Sequence, residues 1–379
     1  MSKFKNLIGI LVLMTFLVSC GGNNENMEEV TNADSSEGMK IAIISSPSGV
    51  DDGSFNENNY DGILMYVNEN PDATVSPIQE PTGSPDAAIE ELNNIVGDYD
   101  AFVLAGFQFA AASQTALDNP DKNFILVDSE PTPIDEQTVF DNLVSLTFKE
   151  HESAFLAGIA AASESKTGKV AVVNGIAYPS NVNYQFGFTA GVNYSNKNFG
   201  TTVEVVELPA YGGTDVTGAQ VGGNYVGSFN DEATGKIVGQ KLLEAGVDIC
   251  LVAAGNSGNG IFTAFKESEE DVFVIGCDVD QYDDGVAGDK NIILTSALKK
   301  MDINVKRQLD AIKNETFEGS NLLLDATTDS IGIVLEDGRQ QLSSDTITKV
   351  NDLFELIKDG TIVPPSNFSG TTAEEFTGL

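Results

Sequence analysis

The feature that most constrains this chain is an alternation of short, mainly apolar runs with longer segments of helical spacing. In the first part of the sequence, an apolar run at 39–44 precedes helical spacing at 63–67, and a run at 101–104 precedes a predicted helix over 110–117. Unbroken apolar runs bounded by turn residues are typical of strands buried on both faces. Strands that alternate with helices form parallel sheets. We therefore predict a lobe built on a parallel sheet.

The alternation restarts after a predicted Ala-rich helix at 154–162, which indicates a second lobe of the same class. Helices are expected over 182–194, 234–245 and 300–312, and a last helix over 346–357. The predicted strands of this part lie at 169–173, 203–207, 249–253, 272–275, 292–295 and 331–335. The sequence thus predicts two α/β lobes with no long linker between them.

Length and charge narrow the class of function. A chain of 379 residues is longer than one hydrophobic core usually supports. It carries 57 Asp and Glu against 20 Lys and Arg, a formal net charge of −37. Such a surface repels phosphates, which argues against nucleic acid and against electrostatic docking on anionic lipid. With His151 as the single histidine, sites built from several histidines are excluded.

The first residues have the pattern of a secretory leader. Two lysines precede an apolar segment at 7–18 that is too short to span a bilayer as a stable helix. We predict a signal peptide over 1–19, followed by a lipidated cysteine, Cys20, in a lipobox-like sequence. An ordinary signal peptide that contains a cysteine is the alternative. Residues 20–38 lack apolar periodicity, which predicts a flexible lipid-anchored tether on a periplasmic or surface face of the membrane.

Polar and aromatic side chains follow the predicted strands. Ligands of open parallel sheets collect at the carboxyl ends of the strands, so two facing lobes form one cleft. The candidate ligand-binding residues are Asp52, Phe55, Asn56, Phe107, Asp128, Phe229, Gly255, Asp278 and Lys299.

The tripeptide Ser-Phe-Asn occurs once in each predicted lobe, at 54–56 and 228–230, ahead of a helix. Two phenyl rings from facing lobes can hold a planar ligand, and base–aromatic stacking contributes about 1–3 kcal/mol per face. Carboxylates accept hydrogen bonds from hydroxyls or a base N–H, and an ammonium donates them. This set suits a neutral, flat, polyhydroxylated ligand such as a nucleoside. Helix caps and turn formers are the competing interpretation of the same residues.

An ordered series of segments resembles the basic membrane protein family, the purine nucleoside receptor A-like lipoproteins that supply ABC importers. The series runs from about residue 39 to the C-terminal region. The matching segments are 52–56, 155–158, 165–170, 187–191, 227–231, 255–260, 276–281 and 294–299. The sequence departs from the family pattern at Gly53, where the family often has a basic residue, and at Tyr184, where a Phe is more usual.

The resemblance implies a type I periplasmic-binding-protein fold, with two doubly wound lobes and a ligand cleft between them. It implies crossovers near Lys149, Cys277 and Asp325. Lobe 1 would then contain 39–149 and 278–325, and lobe 2 would contain 150–277 and 326–379.

The resemblance also implies a receptor that presents a purine nucleoside, of the inosine, adenosine or guanosine class, to an ABC permease and its ATPase. In the family pattern, Phe55 and Phe229 stack on the base and Asp128 bonds its edge. Asn56, Asp278 and Lys299 lie near the ribose or base, and Gly255 lets the backbone approach the ligand. We expect a monomer that needs no cofactor or metal and is not an enzyme.

Two other function classes stay open at this point. One is a surface lipoprotein that acts mainly in adhesion. The other is a nucleoside-cleaving hydrolase, in which Asp128 and Asp278 would form a glycosidase-like pair with one carboxyl of raised pKa.

Overall fold

The computed structural model of the protein describes residues 38–366. The segments predicted to be a signal peptide (1–19) and a tether with Cys20 (20–38) lie outside the described residues, except for Gly38. The same holds for residues 367–379. Within the described range, no helix has the length and apolar character required to cross a bilayer.

The secondary structure alternates between strands and helices along most of the chain. The strands are β1 (Lys40–Ser45), β2 (Thr74–Gln79), β3 (Ala101–Ala105), β4 (Asn123–Val127), β5 (Leu143–Phe148), β6 (Lys169–Asn174), β7 (Glu204–Val205), β8 (Gly213–Thr214), β9 (Gln220–Gly222), β10 (Ile249–Ala253), β11 (Phe273–Asp278), β12 (Val286–Ala287), β13 (Lys290–Asn291), β14 (Ile293–Lys299), β15 (Ser320–Leu324) and β16 (Ile331–Ile333). The α-helices are α1 (Phe55–Glu69), α2 (Pro85–Ile95), α3 (Ser113–Asp118), α4 (Glu150–Glu164), α5 (Pro179–Asn198), α6 (Glu232–Glu244), α7 (Asn256–Glu267), α8 (Met301–Lys313) and α9 (Ser344–Lys358).

Two six-stranded sheets organise these elements. The first has the order β15-β5-β4-β3-β1-β2, and all of its pairings are parallel. The second has the order β16-β14-β11-β10-β6-β7, in which only β16 runs antiparallel to its neighbour. We call the first sheet with its helices lobe 1 and the second lobe 2. The predicted α/β class with two doubly wound lobes is confirmed.

The central strands are buried on both faces. In β1, Ile41 and Ile43 pack into one core, whereas Ala42 and Ile44 pack into another. Successive side chains of a strand point to opposite faces, so a strand covered by helices on both sides is apolar at every position. This packing explains the unbroken apolar run that the sequence shows there.

Glycines bring α4 and α5 into close contact. A Cβ on Gly158 would lie 2.2 Å from the carbonyl oxygen of Phe188, and one on Gly191 would lie 2.2 Å from that of Phe155. Any larger residue would push the two helices apart. The matching segments at 155–158 and 187–191 therefore have a packing role.

The chain crosses between the lobes at three places within the described range. It passes from β5 to α4 at Lys149, from β14 to α8 at Lys300, and from β15 to β16 over 325–330. The crossing segments lie side by side: the backbone N–H of Lys149 donates to Leu324 O (2.8 Å) and that of Lys300 to Ser330 O (2.8 Å).

The predicted second crossover near Cys277 is wrong. β14 pairs in parallel with β11, so residues 278–299 belong to lobe 2, and the chain leaves that lobe only after Lys299. The connection between these strands, 279–292, forms a 3-10 turn and the small β12–β13 hairpin. β14 pairs with β11 from Ile293 to Leu298 and so extends the second sheet before the crossing.

Two predicted elements differ in form. The helix expected over 110–117 begins as a 3-10 helix, Phe107–Ala112, and becomes α-helical only at α3. The strand expected over 203–207 is reduced to β7, which pairs with only two residues of β6. Edge position explains the short strand, because β7 has one neighbour.

Candidate functional site

One cavity lies between the carboxyl ends of the two sheets. Its volume is about 270 Å³, close to the lower end of the usual range of about 300–1,000 Å³ for small-molecule sites. Lobe 1 contributes the loops after β1, β2, β3 and β4. Lobe 2 contributes the loops after β6, β9 and β10 and the last residues of β11 and β14. The structure brings all nine candidate ligand-binding residues to its wall: Asp52, Phe55, Asn56, Phe107, Asp128, Phe229, Gly255, Asp278 and Lys299.

A buried ammonium holds the polar side of the cavity together. Lys299, at the end of β14, has a side chain only 2% exposed. Its Nζ lies 2.5 Å from Asp128 Oδ2 and 3.5 Å from Asp278 Oδ1. Asp278 also accepts from the hydroxyl of Tyr184 (2.9 Å) and from that of Ser54 (3.3 Å). Asp128 Oδ1, by contrast, is buried with no hydrogen-bond partner among the described residues.

Burial and neighbouring charges shift the pKa values of three groups here, Lys299, Asp128 and Glu150. Burial opposes the charge on Lys299, but Asp128, Asp278 and Glu150 outweigh it and hold the lysine pKa above its usual range. Burial raises the pKa of the Asp128 carboxyl, and Lys299 only partly offsets that rise. Burial, reinforced by Asp128, raises the pKa of Glu150 to about 8. Glu150 therefore retains its proton at neutral pH.

Four residues at the ends of strands that border the cavity have a positive φ. Gly106 (φ 115°) follows β3 and Asp128 (φ 60°) follows β4 in lobe 1. Gly255 (φ 53°) follows β10 and Asp278 (φ 68°) ends β11 in lobe 2. Non-glycine residues rarely adopt this region, and such strain is found where a site constrains the backbone. The two aspartates at the lysine thus occupy equivalent strained positions.

Asp52 and Asn56 form hydrogen bonds at the N-terminus of α1. The Asp52 carboxylate accepts the backbone N–H groups of Ser54 (3.1 Å), Asn56 (3.2 Å) and Glu57 (3.1 Å). The amide of Asn56 donates to Asp52 Oδ2 (2.7 Å) and to the Ser46 hydroxyl (2.9 Å). With these acceptors already used, Asp52 is a positioning residue at the cavity wall.

Aromatic rings line the remaining walls. The ring centroid of Phe55 lies 5.0 Å from Lys299 Nζ, within cation–π range. Across the cleft, Tyr178 lies between Phe107 (centroids 5.1 Å apart) and Phe229 (5.8 Å). Phe229 also covers Gly175, where a Cβ would lie 2.2 Å from the ring. Both lobes therefore present rings to the cavity.

A hydrogen-bonded latch joins the lobes beside the cavity. The Ser48 hydroxyl of lobe 1 donates to Phe229 O (3.1 Å). From lobe 2, the Asn230 amide donates to Pro47 O (3.2 Å) and the Asn256 amide to Ser48 O (3.4 Å). The structure therefore has the lobes closed against each other.

Sequence reasoning did not identify Tyr178, Glu150 or Ser48 as parts of this region. Ser48 lies in a Ser-Pro-Ser-Gly loop directly after β1, the position from which site residues were sought. Glu150 carries no local signal, because only folding brings it near Lys299. Tyr184, noted only as a departure from the family, supplies a hydroxyl that bonds Asp278.

The rings, carboxylates and ammonium at this cavity can bind a ligand by stacking and hydrogen bonding. In the described part of the chain, no group of three or more His, Cys, Asp or Glu residues converges to hold a metal ion. Asp280 and Asp283, which follow β11, pair with Arg339 at 2.6 and 2.9 Å. The arrangement fits a small neutral molecule.

Comparisons with known proteins agree with this geometry. The family described as "ABC transporter substrate-binding protein PnrA-like" matches residues 39–208 and 217–367. A Listeria monocytogenes protein named "CD4+ T-cell-stimulating antigen" is 28% identical over 94% of this chain and 96% of its own length. The "ABC transporter nucleoside-binding protein BmpA" of Lactococcus lactis subsp. cremoris is 26% identical over 86% of this chain and 89% of its own length.

Among solved structures, an ABC transporter solute-binding protein from Aeropyrum pernix has a TM-score of 0.72 to this chain. It is 25% identical and covers 87% of this chain and 95% of its own. The predicted fold class and the predicted family are confirmed by these findings.

Proposed function

The chain belongs to the PnrA-like family of ABC transporter substrate-binding proteins, and on that premise we propose that it binds a purine nucleoside between its lobes and delivers it intact to a membrane permease. One observation carries the proposal. A single small cavity combines aromatic rings from both lobes with a buried carboxylate, Asp128, that has an unused acceptor oxygen.

The polar set matches the functional groups of a nucleoside. A base N–H can donate to Asp128 Oδ1, which would satisfy a costly unpaired acceptor. An ammonium has three donors, and the two aspartates beside Lys299 use two of them. The third is then available for a ribose hydroxyl or a ring nitrogen.

The charge balance favours a nucleoside over a nucleotide. Asp52, Asp128 and Asp278 line the cavity, and Lys299, the cation at its wall, is already paired. A phosphate group would be buried against carboxylates without a free cation, and such burial is unfavourable. A neutral ligand avoids this cost.

The nucleoside class has further support from the Lactococcus relative, whose name describes nucleoside binding. Substrate-binding proteins of ABC importers act outside the cytoplasm, and a lipid at Cys20 would keep this one at the membrane. We expect Cys20→Ser to release the protein from membranes; a lipid-free variant that stayed membrane-bound would exclude the anchor.

A thermal-shift panel tests the ligand class. Inosine, adenosine and guanosine should raise the Tm, because a ligand that binds only the native state stabilises it by mass action. Ligand released after denaturation is then identified by mass spectrometry. Intact nucleoside supports a receptor, whereas free base would support the hydrolase alternative. If no nucleoside at millimolar concentration shifts the Tm, the proposed ligand class is wrong.

A further inference from the structure

Tyr178 occupies a position that its residue type does not suit. It is the N-cap residue of α5, directly after the β6 strand and its short loop, and its side chain makes no capping hydrogen bond. Ser, Thr, Asn and Asp are preferred at such positions, because their side chains accept a hydrogen bond from the first turn of the helix. Helix formation therefore does not explain the tyrosine.

The backbone holds Tyr178 in one orientation. Pro179 follows it and restricts it to extended conformations, in agreement with its φ of −72° and ψ of 160°. Its N–H donates to Ile176 O (2.8 Å), and its carbonyl accepts from Val182 N–H (3.0 Å). The ring is thus presented to the cavity by a constrained segment.

Tyr178 joins rings that belong to different lobes. Its ring plane is inclined by 34° to that of Phe107, from lobe 1, and by 40° to that of Phe229, from lobe 2. The centroid separations are 5.1 and 5.8 Å, and all three residues line the cavity. We call Phe107, Tyr178 and Phe229 the aromatic wall.

The phenol of Tyr178 is not used within the protein. The side chain is half-buried at the cavity, and no hydrogen bond to its hydroxyl occurs among the described residues. Burial raises the pKa of this phenol, so it is neutral at physiological pH. The ring, which contacts Phe107 and Phe229, is the part of the residue that the fold positions.

We propose that Tyr178 is a specificity-determining residue, which extends the stacking surface beyond Phe229 so that a fused two-ring base binds better than a single-ring base. A fused base is long enough to lie against two neighbouring rings, whereas a pyrimidine covers one. Stacking free energy grows with the area of overlap, so the second ring benefits the larger base more. This inference rests on the proposed function.

The test compares inosine and uridine on the same protein. Dissociation constants are measured by calorimetry, with displacement titration for the weaker ligand. Tyr178→Ala should raise the dissociation constant of inosine about tenfold and that of uridine less than threefold. The preference for inosine then falls by threefold or more. Tyr178→Phe retains the ring and should keep both constants within about twofold. Tyr178→Leu keeps apolar bulk without a stacking face and should behave like the alanine variant, which covers the case that Tyr178→Ala does not fold.

Tyr194→Ala is the matched control. Tyr194 lies near the other end of α5 and also contacts two rings, Phe155 (5.4 Å) and Phe199 (5.8 Å), away from the cavity. The Tyr194→Ala variant should keep the wild-type preference for inosine over uridine.

The outcomes separate the two claims. A preference that survives Tyr178→Ala and Tyr178→Leu overturns the role of Tyr178 alone. A loss in Tyr178→Phe as large as in Tyr178→Ala also overturns it, because the hydroxyl would then be the recognising group. A wild-type protein that binds neither nucleoside overturns the proposed function and this inference with it.

Discussion

The two Ser-Phe-Asn segments have the same sequence but different structural roles. In lobe 1, Phe55 begins α1, and Asn56 is 1% exposed and bonded to Asp52 and Ser46. In lobe 2, Phe229 and Asn230 precede the capping residue of α6, and Asn230 is exposed and bonds Pro47 across the cleft. The first segment is part of a buried scaffold, whereas the second forms part of a closure.

The comparison teaches that the lobes divide the work of binding. Lobe 1 supplies a preformed, buried wall at the start of α1. Lobe 2 supplies a surface loop whose polar groups contact the opposite lobe across the cleft. The ion pairs of Lys299 join the two lobes, because Asp128 comes from lobe 1, whereas Lys299 and Asp278 come from lobe 2.

Removing the charge that links the lobes should have the largest effect. Lys299→Met leaves Asp128 and Asp278 buried without their cation, and losing one partner of a buried pair costs about 3–5 kcal/mol. The free energy of unfolding, measured in urea, should fall by that order. Lys300→Met is the control, because Lys300 pairs with the largely exposed Asp329 and should cost about 1 kcal/mol or less. Equal losses in both variants would show that the lysine cluster does not hold the lobes.

The two phenylalanines test whether both lobes contact the ligand. Phe55→Ala and Phe229→Ala should each weaken inosine binding by about 1–3 kcal/mol, since each removes one stacking face. We expect the larger loss for Phe55→Ala, because that ring also lies 5.0 Å from Lys299 Nζ. Calorimetry gives the dissociation constants. An unchanged constant in either variant removes that residue, and its lobe's ring, from the site.

Alanine variants of Asn56 and Asn230 distinguish a role in the stability of lobe 1 from a role in the contact between the lobes. Asn56→Ala should lower the free energy of unfolding by about 1–3 kcal/mol, because it removes a buried hydrogen-bond partner of Asp52. Asn230→Ala should leave stability within about 0.5 kcal/mol, as exposed substitutions usually do, but speed ligand release severalfold. Urea denaturation and stopped-flow displacement measure the two quantities. The reverse pattern would contradict the division between the lobes.

A pH-dependent effect on stability concerns the proton on Glu150. Its pKa is about 8 in the folded protein against an ordinary value of 4.5, so between these values only the folded state holds the proton. The stabilisation is complete below about pH 4.5 and is lost as the pH rises towards 8, by at most about 1.4 kcal/mol per pH unit. Glu150→Gln should therefore gain stability relative to wild type from pH 5 to 8.

His151 also contributes to the pH dependence of stability, in the opposite direction. Its contribution cancels when the free energy of unfolding of wild type is subtracted from that of Glu150→Gln at each pH. Burial lowers the pKa of that imidazole to about 3, so its contribution to stability rises with pH between about 3 and 6.5. A difference that stays flat from pH 5 to 8 would mean that Glu150 is ionised in the folded protein.

Much of the architecture was predictable because it depends on local patterns. Apolar runs such as 101–104 identify strands buried on both faces, and helical spacing identifies the layers around them. The rule that ligands collect at the carboxyl ends of parallel strands then pointed to nine residues, all of which lie at one cavity. The lobe to which 278–299 belongs was not predictable, because strand pairing between β11 and β14 is a long-range choice.

The amino-acid sequence by itself determined the two α/β lobes, the strand-end loops and the family, since periodicity, turn residues and ordered motifs are written along the chain. The tertiary structure alone decided which groups meet. It placed Glu150 near Lys299, Tyr178 between rings of both lobes, and Asn230 against Pro47. These contacts join residues distant in sequence, and burial then changes the chemistry of the charged groups in ways that no local pattern records.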